Sequence, residues 1–366
     1  MSGTVGSVGL GDYGALGAAI ANAGSVRTSL DTLTQQIGSG LVAQDYAGLG
    51  QAASQSIDLV PVIAQQQTWQ GNIDRATASL SVTQNAMSQI QAIASSFYAQ
   101  LDNLNGLDGS EVDTTAASAR QALQQVAELL DTTDGQGNYV FAGQDSANAP
   151  VPSPDAILGS GFYTQINAAV GMLATSGSAA TAASTLATAS SNAAGTSPFS
   201  TYMSQAATTL TAALPAVQIG DGQAVQIGLS ASANSFVAST GGSTTGSYMR
   251  DLMRALATIG SLSSGQITAA GFSGLVQDTR TSLNGAISAM ASDVGVLGNV
   301  QAGLADTKTR LGQTATALTT QVSNVQNVDQ AAAISKLQLA QTQLESSYQL
   351  IATLNGLSLA KFLPAG

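Results

Sequence analysis

The sequence predicts a mainly α fold: long antiparallel coiled-coil helices from the N- and C-terminal regions, with a small β-containing inserted middle domain. Three observations predict it. Apolar residues alternate three and four apart near the start, at Leu16, Ala19, Ala23, Val26, Leu30, Leu33 and Ile37. The same beat returns near the end, at Leu283, Ile287, Met290, Val294 and Leu297, and again at Ile334, Leu337, Leu344 and Ile351. Between them, residues 145–240 lose the beat and turn Ala-, Ser-, Thr- and Gly-rich. A stripe repeating every 3.5 residues needs a partner helix. The two terminal stripes therefore pair with each other or with copies of themselves.

The spacing predicts a first helix over residues 12–37, stopped by Gly38 and Gly40. Residues 41–50 (LVAQDYAGLG) read as a loop or a helix restart. A clean stripe follows over 57–104: Ile73, Ala76, Leu80, Met87, Ile90, Ala94, Phe97, Leu101 and Leu104. Pro61 is expected to start or kink that helix. Residues 106–109 form a turn, and Asp113 or Thr114 is the expected cap of a third helix carrying Ala116, Ala119, Leu123, Val126 and Leu130.

At Asp131 the character changes to turn chemistry around Gly135 and Gly137, then a short β-like run, Tyr139 to Phe141. Residues 145–240 are taken as a separate, loosely specified insert. Within it, Val217–Ile219 and Ala224–Leu229 flank Gly-Asp-Gly and read as a β-hairpin. Helix resumes at about Ser247 (YMRDLMRALATI), breaks over 260–274, and then runs long from Leu275 into the C-terminal heptads. Gln301, Lys308 and Asp329 are polar intrusions on that seam, of the kind that fix register. The expected domains are a terminal coiled-coil assembly domain (1–45 plus 325–366), a helical core domain (46–143 plus 244–324), and an outward variable domain (144–243).

Composition narrows the function. Charged residues make up 8% of the 366, against about 25% in ordinary soluble domains. The formal net charge is −11, so no basic footprint exists for nucleic acid or anionic membrane. With no Cys and no His, the Ser-His-Asp triad, the Cys-His dyad and the common zinc sites are excluded together. No run of 18 apolar residues exists to span a membrane. Residues 1–10 lack a basic region and an apolar core, so no Sec-type signal peptide is expected there.

Several motifs invite chemistry and are better read as structure. Gly9-Leu-Gly-Asp-Tyr-Gly14 matches a dinucleotide fingerprint, but only a short Gly-rich stretch precedes it, so a flexible leader is expected. The acidic stretches 131–138 and 102–113 lack the alternating ligands of a calcium loop; turns and caps explain them. The three glutamates, Glu111, Glu128 and Glu345, fall on predicted helices or caps, which weighs against a glycosidase pair. Trp69 and Phe97 have core spacing, and Phe272 sits in a Gly-rich break with no helix face to assign. No catalytic residue, cofactor or metal is expected. The candidate site is an assembly interface: Leu16, Val26, Leu30, Leu33, Ile37, Ile334, Leu337, Leu344, Ile351, Leu354, Leu357, Leu359, Phe362 and Leu363. An apolar C-terminus such as LNGLSLAKFL needs cover, from its own chain or from another.

Residues 325–363 carry a resemblance. The Val328-Asp329 step, the AAIS turn, the LQLAQTQLESSY helix and the terminal LSL…L resemble the C-terminus of the bacterial flagellin family, most closely its hook-associated, L-type branch. Asn138-Tyr-Val-Phe-Ala-Gly143 resembles that branch's aromatic-glycine signature, and LDTLTQQIGSG followed by DYAGLG resembles a flagellin-type start. The resemblance covers residues 12–143 and 275–363. It implies a structural subunit of the flagellum acting in motility, at the hook–filament junction or in the filament. It implies export unfolded through a type III channel, an extracellular location, self-association in an axial ring or tube, and partners among other hook-associated proteins, flagellin subunits and an export chaperone. Outside that resemblance, a secreted coiled-coil adhesin or secretion-tip protein fits the stripes.

Overall fold

The computed structural model describes residues 10–106 and 108–360. It is mainly helical and divides into two compact units. Unit 1 comprises residues 1–66 and 313–366, and unit 2 comprises 67–312.

Unit 1 contains α1 (Leu10–Ser39), a short 3-10 turn over Ala47–Ala52, the start of α2 (Ala53–Asn103), the end of α8 (Phe272–Gln326) and α9 (Gln330–Ala360). The stretch expected as a leader is helical from Leu10; Gly9 lies outside the described residues. α1 ends where Gly40 takes φ +72, a left-handed value that costs glycine little. Pro61 neither starts nor stops α2 but lies inside it. α8 does not run into α9 as one helix. It stops at Gln326, and the Asp329 side chain accepts the Ala332 N–H at 3.1 Å, so the expected seam intrusion is instead a helix cap.

α1 and α9 are antiparallel. Just past the end of α1, Leu41 bridges Asn327. The Val42 N–H donates to the Gln326 carbonyl at 2.7 Å, and the Val328 N–H to the Gly40 carbonyl at 2.9 Å. These bonds clasp the chain entering α9 to the chain leaving α1.

Unit 2 holds the main core. The expected stripe of α2 is buried from Ile73 to Leu104, and Leu283, Met290, Leu297 and Leu304 of α8 are each 1% exposed or less. The two helices run in opposite directions. Asp74, Ser81 and Asp102 of α2 meet Lys308, Gln301 and Arg280 of α8 at 2.5, 3.2 and 2.6 Å, in equal steps along both helices. The seam intrusions Gln301 and Lys308 are thus cross-helix partners that mark this register. Phe97 is buried, Trp69 only half so, and Phe272 opens α8 at 3% exposure.

α3 (Gly109–Leu130) buries Ala116, Ala119, Leu123, Val126 and Leu130, as its spacing requires. Its cap is Asp108, not Asp113 or Thr114. Asp108 accepts the Glu111 N–H, and Glu111 returns a bond to the Asp108 N–H, a reciprocal box at 3.0 Å each way. These bonds hold the Asp108 carboxyl below its usual range. Asp113 serves elsewhere, accepting the Ser264 N–H at 2.8 Å.

The region 145–240 contains three helices, which its composition does not announce. α4 (Gly161–Gly171), α5 (Leu173–Ser190) and α6 (Ala207–Ala212) precede a two-stranded antiparallel sheet of β1 (Ala216–Gly220) and β2 (Gln223–Gln226). Val217 pairs with Val225, and the expected hairpin is present. Phe162, Ile166 and Val170 of α4 join the unit 2 core, whereas α5 buries Thr181, Ala182, Thr185 and Ala189. Such small buried residues leave no large-apolar beat to read. The β-like run Tyr139 to Phe141 is not a strand. It contributes one isolated bridge, Thr133 to Tyr139, and the Phe141 carbonyl accepts the Ala231 N–H at 2.9 Å.

From β2 to α7 (Tyr248–Gly260) the chain has no regular structure, so its backbone needs other partners. Buried charges supply them. Asp293 of α8, 0% exposed, accepts the Val237 N–H at 2.8 Å and the Tyr248 hydroxyl at 2.9 Å. Asp251 accepts the Thr245 N–H at 2.7 Å and the Thr244 hydroxyl at 2.5 Å. Arg250 donates to the carbonyls of Ser232, Ala189 and Ser191 and to Asn192, and lies 5.1 Å from the Phe199 ring centroid. Arg254 donates to the Ser243 carbonyl at 2.7 Å. Burial pushes Asp293 and Asp251 above the usual carboxylate range and lowers Arg250 to about 10.

Candidate assembly surface

The seam of α1 and α9 is a 3-4 series read in opposite directions. On α1 the covered positions are Leu16, Ala19, Ala23, Val26, Leu30, Leu33 and Ile37. On α9 they are Ala333, Leu337, Ala340, Leu344, Ser347, Ile351 and Leu354. Reversed, the two series have identical steps, so every layer of one helix has a layer on the other. The clasp at Leu41 and Asn327 fixes the antiparallel order, with the Ile37 end of α1 beside the Ala333 end of α9.

The structure thus brings most of the expected interface residues onto one seam, where Leu16, Val26, Leu30, Leu33, Ile37, Leu337, Leu344, Ile351 and Leu354 are half-buried. Ile334 is not on it: it is 44% exposed. The side chains of Leu357 and Leu359, and residues Phe362 and Leu363 entirely, lie outside the described residues. The deepest seam positions are alanines, Ala19, Ala23, Ala333 and Ala340, at 3–8% exposure. A list of large aliphatics passes over Ala333 and Ala340, although their heptad phase would have found them.

Ile334 is exposed for a geometric reason. On α9 the line Leu337, Leu344, Ile351 has an apolar neighbour on either flank. Ala333 and Ala340 lie on the flank that α1 covers. Ile334 and Tyr348 lie on the other, at 44% and 52% exposure. The apolar face of α9 is wider than a single partner helix covers. The start of α2 repeats the pattern. Ser56, Leu59, Ile63 and Gln66 face inward, while Ile57, Val60, Pro61 and Ala64 form an outward stripe at helical spacing.

Taken across the described residues, the ten exposed large hydrophobics are Ile20, Tyr46, Ile57, Val60, Val62, Met172, Ile334, Leu339, Tyr348 and Leu350. All but Met172 belong to unit 1. Exposed apolar surface concentrated in this way marks a surface that other protein covers.

Nothing comparable marks a chemical centre. The buried charges around α7 are engaged by backbone, hydroxyl, amide and carboxylate partners of the same unit. Asp134 accepts the N–H groups of Gln136 and Asn138 at 2.8 and 3.0 Å; burial opposes this, but the bonds hold its carboxyl below the usual range. The acidic stretch 131–138 is turn chemistry, as its spacing implies. Asp131 accepts the Val151 N–H at 2.9 Å, and burial pushes it up to about 6. Among the described residues no group of three Asp or Glu side chains is placed to hold a metal, and no helix is long and apolar enough to cross a membrane.

Residues 281–363, most of α8 and α9, match the family described as bacterial flagellin C-terminal helical region. The match supports membership of the bacterial flagellin family. No curated protein matches the chain. Flagellins are structural proteins, not enzymes, and the flagellin match supports a structural subunit of the extracellular flagellum that self-assembles into a filament or tube.

Proposed function

We propose that this chain is a flagellar structural subunit that assembles with copies of itself through unit 1, and that it stands at the hook–filament junction. The observation that carries assembly is that, among the described residues, the exposed large hydrophobics, Met172 apart, lie in unit 1. A seam with alanine layers leaves Ile57, Val60, Ile334 and Tyr348 for helices of neighbouring subunits. The division of labour is a terminal coiled-coil assembly domain (1–45 plus 325–366), a helical core domain (46–143 plus 244–324) and an outward variable domain (144–243). Export through the type III channel, an export chaperone and contacts to other hook-associated proteins and flagellin subunits belong to the same reading. The absence of cysteine suits a chain that folds after export, since no disulfide has to form.

What favours the junction over the filament is the segment Asn138-Tyr-Val-Phe-Ala-Gly143. Its Phe141 is fully buried and its Gly143 takes φ +60, so it forms a fixed corner of unit 2. Immunogold labelling of intact flagella with antibody to residues 150–240 tests the placement. A single band where hook meets filament supports the junction; label along the whole filament makes the chain a filament flagellin. Absence from flagella, with an oligomer that survives deletion of 325–366, would turn the reading towards a secreted coiled-coil adhesin.

A further inference from the structure

We propose that Met172 is an oxidation site, the methionine whose thioether reaches peroxide or hypohalous oxidants in the folded protein. Six methionines lie among the described residues. Met87, Met203, Met249, Met253 and Met290 are each 1% exposed or less, whereas Met172 is 57% exposed. It stands between α4 and α5, and its backbone is committed to that joint. Its N–H donates to the Ala169 and Val170 carbonyls, and its own carbonyl accepts the N–H groups of Thr175 and Ser176 at 3.0 and 2.9 Å and the Thr175 hydroxyl at 2.9 Å. The joint is anchored on either side by Val170 and Leu173, both fully buried. The backbone and the two flanking side chains thus hold the turn, and the Met172 side chain projects from it.

The step needs access, not ionisation. A sulfur lone pair attacks one peroxide oxygen; the S–O bond forms, the O–O bond breaks, and the departing hydroxide takes up the proton that the sulfur-bound oxygen releases and leaves as water. The thioether is oxidised by two electrons to the sulfoxide and the peroxide is reduced. Since no buried contact is lost, the product folds as before. The change is confined to the surface: the one large apolar side chain that unit 2 exposes among the described residues becomes a polar, chiral one. Each buried sulfur reacts only through an opening of the core, so its rate is set by the opening equilibrium.

The test treats the purified full-length protein with hydrogen peroxide and follows oxygen uptake by peptide mass mapping, scoring the Met1 peptide separately. The peptide bearing Met172 is expected to gain one oxygen more than about tenfold faster than those bearing the five buried methionines. The melting midpoint should stay unchanged. A Met172→Leu variant should take up oxygen in residues 10–360 only at the slow rate of the buried methionines. Equal rates for Met172 and the buried methionines in protein with a native circular dichroism spectrum, or an unmodified Met172, would overturn the proposal.

Discussion

In unit 2 the inner faces of α2 and α8 carry Leu80, Met87, Ile90, Leu283, Met290 and Leu297, all fully buried. In unit 1 the deepest positions on α1 and α9 are Ala19, Ala23, Ala333 and Ala340, and the larger residues between them remain half-exposed. Helices of similar heptad pattern therefore do different things. A buried methylene contributes about 0.8 kcal/mol, whereas ordering a backbone residue costs about 1–2 kcal/mol. Leucine and methionine layers offset that cost within one chain; alanine layers do not. Alanine does let backbones approach closely, which suits a helix pair that neighbours complete.

The largest difference between the two units is expected from the double change Leu344→Asp and Ile351→Asp. Both side chains sit on the α9 seam, and an aspartate there puts a charge against α1 without a partner. The expected outcome is complete loss of assembly, with the thermal transition of unit 2 unmoved. Electron microscopy and scanning calorimetry on the same preparation read the two effects. Assembled variant protein would show that the seam is not the assembly element; a shifted main transition would show that the units do not separate as described.

The next largest effect belongs to unit 2. Arg250→Ala removes donors from the carbonyls of Ser232, Ala189 and Ser191 and leaves them buried or nearly so. Breaking a buried charged network in this way costs about 3–5 kcal/mol. Urea denaturation should show a lower midpoint with an unchanged slope. A loss below about 1 kcal/mol would mean that water replaces the guanidinium and that the segment before α7 is held by other means.

How far these contrasts could be read in the sequence follows from side-chain size. Every residue expected in the α2 and α3 stripes is buried, because Ile, Leu, Met and Phe recur at helical spacing, although Ala86, Val112 and Ala127 beside them were passed over. The terminal seam was legible in phase, but not in which flank of Leu337 and Leu344 would be covered. Only the partner helix decides that, and it left Ile334 outside. Helix α5 was missed because Thr181, Ala182, Thr185 and Ala189 bury a face with almost no large side chains; α4 was missed although its buried Phe162, Ile166 and Val170 keep helical spacing, because so short a run does not stand out from the Ala-, Ser- and Gly-rich stretch around it. The Asp108 cap lost to Asp113 and Thr114, though Glu111 three residues on is the signal of a capping box. Arg250, Asp251 and Asp293 could not be foreseen. A charged residue inside an apolar run reads as a solvated face until the irregular chain it satisfies is placed beside it.

A smaller, pH-dependent effect sharpens the picture of unit 2. Burial raises Asp131 from 3.8 to about 6, so between those values the native chain holds a proton that the unfolded chain has released. Stability from this group is therefore greatest below pH 4 and falls as pH rises towards 6. Asp131 is only half-buried, so screening reduces the contribution to roughly 1 kcal/mol. Asp131→Asn keeps an oxygen for the Val151 N–H and has no proton to lose. The variant should be more stable than the parent at pH 7 by about that amount, and the difference should vanish near pH 4. A parent-minus-variant difference that does not change with pH would remove Asp131 from the account.

The smallest expected effect tests what marks the register of α2 against α8. Lys308 reaches Asp74 at 2.5 Å, but the two side chains are 45% and 56% exposed. Exposed pairs of this kind contribute about 0.2–1 kcal/mol, because water solvates both charges when they part. Neighbouring layers, Ile73 and Leu80 on α2 with Leu304 on α8, are buried and hold the helices whether or not the pair forms. Lys308→Ala should therefore lower stability by a few tenths of a kcal/mol, and added salt should erase the difference. A loss above about 2 kcal/mol that persists in high salt would mean that charge, not the apolar layers, sets the register, and the contrast between a self-sufficient unit 2 and an open unit 1 would then have to be drawn on different grounds.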